Sequence, residues 1–297
     1  MSDYNLEKDV DEKFPEIWNQ LIKEHHATPQ EKPVAVMLGG QPGAGKSFGT
    51  KQVENRLNGN VLIINGDDYR PFKKGYREIY EKYGKDASKH TGDFSGAMVQ
   101  KVRDEAIKNR FNIIIEGTFR TSEIPLREIG NFKKNGYEVD AIVCTCPKDV
   151  SWNSTVARGD RDLELGNIPR YTPQEHHDLV VQNLPKNADT IFQSGEVRSF
   201  EVYSRTGKLF DSQKDKNKLP SEVIGKELHK TPQQQMLETA RASGNPELLR
   251  MTQQAIASEH LNKRIEQVKA ASQSAGKSQP EQQTLKAKES PDKGRER

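Results

Sequence analysis

The sequence predicts an α/β fold: a mostly parallel sheet covered by helices on both faces, with a polar tail behind it. Three observations carry this expectation. Short apolar runs alternate with stretches of helical spacing, the pattern of strands joined by crossover helices. The first apolar run enters a glycine-rich turn, "GGQPGAGKS", that leads into a helix. Beyond about Ser212 the apolar alternation stops.

The elements follow in order. "DEKFPEIWNQLIKEHHA" puts Phe14, Ile17, Trp18, Leu21 and Ile22 on one helical face. "KPVAVMLGG" is a strand, "GKSFGTKQVENRL" a helix and "NVLIING" a second strand. "FSGAMVQKVRDEAIKNR" spaces Met98, Val99, Val102 and Ala106 as a helix does, and "FNIIIEG" is a third strand. A helix over "EIPLREIGNFKKNG" is closed by Gly136. "YEVDAIVCTC" is a fourth strand, stopped by Pro147. "DVSWNSTVARGDRDLEL" is helical, and another helix starts with Thr172 as N-cap and Pro173 at its first position. "RSFEVYSRTGKLFD" reads as strand, turn and strand. Residues 1–212 are thus expected to form the whole catalytic domain, which should fold without the remainder. Residues 213–231, "QKDKNKLPSEVIGKELHKT", read as a linker broken by proline. Residues 232–270 read as a helical extension of one or two helices. Residues 271–297 hold no aromatic side chain and one large aliphatic, Leu285, a composition expected to be disordered.

The glycine-rich turn has the spacing G-x-x-x-x-G-K-S. Set between strand and helix it is a P-loop, and the fold class narrows to a P-loop kinase fold. Gly40, Gly43 and Gly45 let the backbone turn its N–H groups inward to cradle phosphates. Lys46 adds a point charge and Ser47 a hydroxyl for Mg²⁺. The expected nucleotide-binding set is Gly40, Gly43, Ala44, Gly45, Lys46, Ser47 and Phe48. No N-K-x-D base reader of a GTPase occurs. Instead, acidic signatures end the next two strands: "INGDDYR" presents Asp67 and Asp68, and "IIIEGTFR" presents Glu116, Thr118 and Arg120. In a parallel sheet both face the crevice beyond the carboxyl ends of the strands. There a carboxylate can take a proton from an acceptor hydroxyl, while Thr118 and Arg120 hold a polar or anionic acceptor. Either acid could also serve as an outer ligand of Mg²⁺ or a helix cap. "VARGDRDLELGNIPRYTP" places Arg158, Arg161 and Arg170 in a polar segment read as lying between helices, where arginines neutralise a transferring phosphoryl group.

Composition excludes other classes. The chain of 297 residues carries a net charge of only +3, against a dedicated nucleic-acid binder. No aromatic-rich basic stretch is present to stack bases. Mean hydropathy is −0.90, and no run reaches the ~18 apolar residues of a membrane span. The polar start "MSDYNLEKDV" is no signal peptide, so a cytoplasmic setting is expected. Cys144 and Cys146 then read as reduced thiols in a buried strand.

Taken together, "GGQPGAGKS", "INGDDYR", "IIIEGTFR" and "TVARGDRD" with "PRYTPQEHHDLVVQNLP" resemble the zeta toxins of bacterial toxin–antitoxin pairs. The likeness covers about residues 30–212. It implies an ATP-dependent kinase that phosphorylates the 3′-hydroxyl of the sugar in UDP-N-acetylglucosamine, starving cell-wall synthesis. It implies that Lys46 and Ser47 bind ATP and Mg²⁺, that Asp67 is the catalytic base, and that Glu116, Thr118 and Arg120 contact the UDP-sugar. Arg158 and Arg170 would bind ATP phosphates. A small helical antitoxin of the epsilon type would block the nucleotide site, with no nucleic-acid or membrane partner. The G-D-x-[FY]-R register selects Asp67 over Asp68. Asp93, in "HTGDFSGAMV", has no assigned role. Two other readings stay open: a small-molecule kinase of another kind, such as an antibiotic phosphotransferase, and a nucleotide-gated binding protein whose tail contacts a partner.

Overall fold

The computed structural model describes residues 4–275. Two compact units are present, Met1–Thr231 and Pro232–Arg297.

In the first unit the strands are β1 (Val34–Gly39), β2 (Leu62–Asn65), β3 (Ile113–Glu116), β4 (Glu138–Cys144), β5 (Ser199–Tyr203) and β6 (Lys208–Asp211). They form one sheet in the order β2-β3-β1-β4-β5-β6. All neighbours are parallel except β5 and β6, the hairpin, which are antiparallel. The helices are α1 (Leu6–His25), α2 (Lys46–Arg56), α3 (Gly66–Tyr69), α4 (Tyr76–Tyr83), α5 (Gly92–Lys108), α6 (Glu123–Lys134), α7 (Lys148–Glu164), α8 (Gln174–Gln193) and α9 (Pro220–Leu228).

The two-residue period of each strand divides the core. Ala35 and Met37 of β1, Ile113 and Ile115 of β3, and Val139, Ala141 and Val143 of β4 face one layer. That layer also takes Ile17 from α1, Met98 and Val102 from α5, Phe132 from α6 and Leu184 from α8. Val36, Leu38, Ile114, Ile142 and Cys144 face the other layer, with Val53 of α2. Burial on both faces is why these strands are continuous apolar runs rather than alternating ones. The one polar residue buried inside β4, Asp140, accepts hydrogen bonds from Arg198 Nε (3.0 Å) and Ser199 Oγ (2.8 Å). Cys144 and Cys146 are both free and buried, and burial pushes each thiol up to about 11.

Helix α8 starts one residue later than the sequence suggests. Pro173 is its cap, because ψ of 135° keeps that residue extended, and Thr172 lies outside.

The segment 213–231 is not a linker throughout. Pro220–Leu228 forms α9, with Ile224 and Leu228 buried in the main core layer. Pro220 sits at the first helical position, where a missing N–H costs nothing. It starts this helix rather than breaking the chain. Glu222 Oε1 accepts from the Leu219 N–H at 3.0 Å, and the Ser221 N–H donates to Asp189 Oδ1 of α8 at 2.9 Å. These contacts argue against the expectation that a chain ending at Ser212 folds unaided. Burial of two large aliphatic side chains contributes about 3–6 kcal/mol, a large part of a domain's net stability. Truncation after Ser212 should lower the melting temperature sharply or cause aggregation, while truncation after Thr231 should leave the transition near that of the full chain. Equal melting of the two truncations in calorimetry would refute this.

In the second unit α10 (Pro232–Ala242) and α11 (Pro246–Ala275) pack against each other, with Gln233 Nε2 3.2 Å from Glu259 Oε2. The disorder expected over 271–297 lies, beyond Ala275, outside the described residues.

Candidate active site

Three strand ends converge at one edge of the sheet. β1 runs between β3 and β4, and Glu116 is in register with both Leu38 of β1 and Asn65 of β2. The loop after β1 turns back into α2. Gly40 and Gly43 have φ of 144° and 77°, and a Cβ on either would lie 2.1 Å from a backbone oxygen, that of Cys144 or Ser151. Only glycine fits these two positions. The Ala44 N–H bonds to the Gln41 carbonyl at 3.0 Å, and buried Gln41 Nε2 ties the turn to the Cys146 carbonyl at 2.7 Å. Ala44 is buried, and the ring of Phe48 lies 5.7 Å from that of Tyr203. Ser47 is exposed in the first turn of α2, at the positive end of that helix.

Lys46 Nζ lies 3.6 Å from Glu116 Oε1, so the P-loop lysine rests on the acid that ends β3. The acid after β2 is more heavily partnered. The Asp67 backbone N–H donates to Asn65 Oδ1 (3.1 Å), and Asp67 Oδ1 accepts from Arg70 Nε at 2.9 Å. Arg70 is anchored in turn by the Ser88 carbonyl (2.8 Å) and buried Thr91 Oγ1 (2.7 Å). Arg170 Nη1 stands 3.9 Å from Asp67 Oδ2 and 3.3 Å from Asp68 Oδ1. Burial pulls the Asp67 carboxyl upward. The Arg170 and Arg70 guanidiniums, with Lys46, outweigh it and hold the group below the usual carboxylate range. Asp68 is the more exposed of the two, at 64% against 44%, and its recorded ion pair is with Arg170 alone.

The loop after β3 is under local strain. Phe119 has φ of 53°, a left-handed conformation unusual for a bulky residue, and its ring occupies the space a Cβ on Gly39 would need. Asn187 Nδ2 of α8 donates to the carbonyls of Phe119 (2.9 Å) and Arg120 (2.7 Å). Thr118 is half-buried in this loop. Arg120 Nη1 lies 3.2 Å from His176 Nδ1, also on α8.

The sequence-selected arginines divide. Arg158 lies inside α7, in the helix expected over "DVSWNSTVARGDRDLEL", and not in a segment between helices. Its Nε is buried with no hydrogen-bond partner. Burial and the nearby Arg170 charge lower its pKa, while Asp67 and Glu116 favour its charged form. An unpartnered buried guanidinium nitrogen beside a second arginine fits an anionic ligand. Arg170 reaches the crevice from the connection between α7 and α8. Arg161 is exposed on α7. Asp93 is exposed, and its charge acts on Tyr4 and Lys73, toward the N-terminal segment.

Sequence reading missed Arg70, His176, Asn187 and Arg205. The last donates from Nη2 to the Gly43 carbonyl (2.5 Å) and Ser154 Oγ (2.8 Å). Arg70 and His176 had a local signal, since they lie in the quoted stretches "INGDDYR" and "PRYTPQEHHDLVVQNLP". Ser151, His177 and Asp178 lie in hydrogen-bond reach in series. The Ser151 hydroxyl donates to the Lys148 carbonyl and both Ser151 and His177 are buried, so the trio ties α7 to α8 and is no nucleophile.

Among the described residues no group of three or more His, Cys, Asp or Glu side chains could hold a metal. An Mg²⁺ bound through one hydroxyl, phosphates and water needs no such group, and the exposed Ser47 hydroxyl is an oxygen donor of the kind it takes. Among those residues no helix is long and apolar enough to cross a membrane.

Residues 19–215 match the profile of a family described as zeta toxin. Toxin PezT of Streptococcus pneumoniae serotype 4 (strain ATCC BAA-334 / TIGR4) is 32% identical over 195 residues, 65% of this chain and 77% of that protein. Toxin zeta of Streptococcus pyogenes is 32% identical over 202 residues, 67% of this chain and 70% of that protein. A solved structure from the characterisation of the PezAT chromosomal toxin–antitoxin system of Streptococcus pneumoniae has a TM-score of 0.68 at 24% identity. It covers 85% of this chain and 95% of that one.

Proposed function

The chain belongs to the zeta toxin family, and from that premise we propose that it is an ATP-dependent kinase acting on the sugar 3′-hydroxyl of UDP-N-acetylglucosamine or a related UDP-sugar. The observation that carries this reading is the meeting of the P-loop, Asp67 and Glu116 at the carboxyl ends of neighbouring strands, with Lys46 3.6 Å from Glu116, Arg170 3.9 Å from Asp67, and Arg158 within the field of both acids.

The P-loop amides and Lys46 hold the outer phosphates of ATP. Ser47 would carry Mg²⁺, which when bound neutralises charge on the β- and γ-phosphates. Glu116, Thr118 and Arg120 orient the UDP-sugar. Asp67, held by Arg70, accepts the proton of the 3′-hydroxyl as its oxygen bonds to the γ-phosphorus and the bond to ADP breaks. Lys46 and Arg170 lie on carboxylates. Phosphates draw both cations away, which frees Glu116 and raises the basicity of Asp67. Arg158 and Arg170 then stabilise charge on the transferring group. The acceptor is a cell-wall precursor made in the cytoplasm, the setting proposed for this protein. The proposed protein partner is a small helical antitoxin of the epsilon type covering the nucleotide site.

The test is mass spectrometry of a UDP-sugar panel incubated with protein, ATP and Mg²⁺. The expected result is one added phosphoryl group on UDP-N-acetylglucosamine. Transfer only to an antibiotic would replace this reading with another phosphotransferase. ATP binding without turnover on any acceptor would leave a nucleotide-gated binding protein.

A further inference from the structure

The start of α8 carries two adjacent histidines with opposite surroundings. His177 is buried against Ser151. His176 is partly exposed, with Nδ1 3.2 Å from Arg120 Nη1. A guanidinium has donors and no acceptor. Nδ1 must therefore be the unprotonated nitrogen, and the ring proton sits on Nε2. We propose that His176 is a positioning residue for the phosphoryl acceptor, its Nδ1 lone pair holding the Arg120 guanidinium in the orientation that receives the acceptor's anionic part. The proposal rests on the reading of Arg120 as an acceptor-binding residue.

A second hold on the same loop comes from the same helix. Asn187 Nδ2 binds the carbonyls of Phe119 and Arg120. Helix α8 thus fixes both the backbone of the strained loop and the far end of its arginine. A free arginine side chain loses much rotamer freedom when it closes on a ligand. Fixing it beforehand removes that cost from the binding step. The surroundings keep the imidazole neutral. Burial disfavours its charge first, then Arg120 from the loop after β3, Arg70 from the segment after β2, and His177 on its own helix; Asp67 opposes them. The neighbouring Glu175 is paired with Lys89. Protonation would turn Nδ1 into a donor facing a donor and release Arg120.

Kinetics of the full chain with UDP-N-acetylglucosamine test this. His176→Phe should raise the acceptor KM about tenfold, the loss of one charge-assisted hydrogen bond, with the ATP KM and melting temperature unchanged. His176→Asn places an amide oxygen where Nδ1 was, and should stay within about threefold of wild type. The wild-type acceptor KM should also rise as pH falls through the lowered His176 pKa, a rise that His176→Asn abolishes. Equal acceptor KM values for the Phe and Asn variants, or equal shifts in both substrates' KM, would overturn the proposal. Nitrogen-15 NMR of the wild-type imidazoles gives a readout independent of turnover. The expected His176 signal is an Nε2–H tautomer whose Nδ1 resonance shifts in Arg120→Ala, and a protonated Nδ1 would sink the idea. If no UDP-sugar is phosphorylated at all, the UDP-sugar kinase reading fails, while the NMR result still decides the His176–Arg120 pairing.

Discussion

Asp67→Asn is expected to leave the protein folded and able to bind ATP while slowing phosphoryl transfer by ~10²–10⁴-fold. The amide keeps the size of the carboxylate and can still accept from Arg70 Nε, so the 2.9 Å contact that orients the group survives. It cannot take up the acceptor's proton. Arg170 keeps Asp68 at 3.3 Å, which limits the structural cost of removing one negative charge. The pH dependence has a definite sign. Asp67 sits below the ordinary carboxylate range of about 4, so the acid limb of kcat/KM for ATP, which reports the protein before phosphates draw Arg170 and Lys46 away, should lie at or below that value. The same depression means that its ion pairs stabilise the fold above the unfolded-state pKa, and that this contribution is lost as pH falls through the folded-state value. Steady-state kinetics on Asp67→Asn and Asp68→Asn decide the assignment. A near wild-type rate in the first with a collapse in the second would move the base to Asp68.

Lys46→Ala should lose transfer by at least ~10²–10³-fold, the scale for deleting one preorganised charge-stabilising group, and should relieve any growth inhibition on expression. Its effect on kcat/KM should exceed its effect on kcat, because the ammonium holds phosphates before and during transfer. The deletion also strips Glu116 of the cation 3.6 Å away, leaving a carboxylate to repel the incoming phosphates. Isothermal titration with ATP and single-turnover kinetics separate the two effects. A Lys46→Ala protein that still arrests growth would show that any toxicity does not come from phosphoryl transfer.

Much of this site is legible in the chain because its chemistry is concentrated in short local patterns. The P-loop, "GDDYR" and "EGTFR" each follow an apolar run, and a parallel sheet brings the carboxyl ends of those runs to one edge. Strands β1 to β4 are legible for the related reason that burial on both faces removes polar residues from them. What is hidden depends on partners distant in sequence. His176 meets Arg120 across 56 residues and Arg205 meets Gly43 across 162. No local pattern marks either contact. The crowd of charges around Arg158 suggests a connection, whereas the helical spacing of "DVSWNSTVARGDRDLEL" carries it inside α7, which continues to Glu164. Helix α9 was missed because its flanks are polar and Pro220 looks like a breaker, whereas the spacing of Ile224 and Leu228 is that of a buried helical face.

The place of β1 in the sheet governs when the protein becomes active during its own synthesis. This strand is made before both of its hydrogen-bonding neighbours, Ile113–Glu116 on one side and Glu138–Cys144 on the other. The phosphate loop is therefore translated long before anything can hold it. Arg170, His176 and the hairpin bearing Arg205 emerge later still, and α9 closes the core after them. At about 5–20 residues per second, several seconds separate the appearance of the P-loop from the first moment the crevice can assemble. A nascent chain thus carries the motifs of the site before the fold that holds them, and a message cut short before Leu228 encodes those motifs without the helix that closes the core.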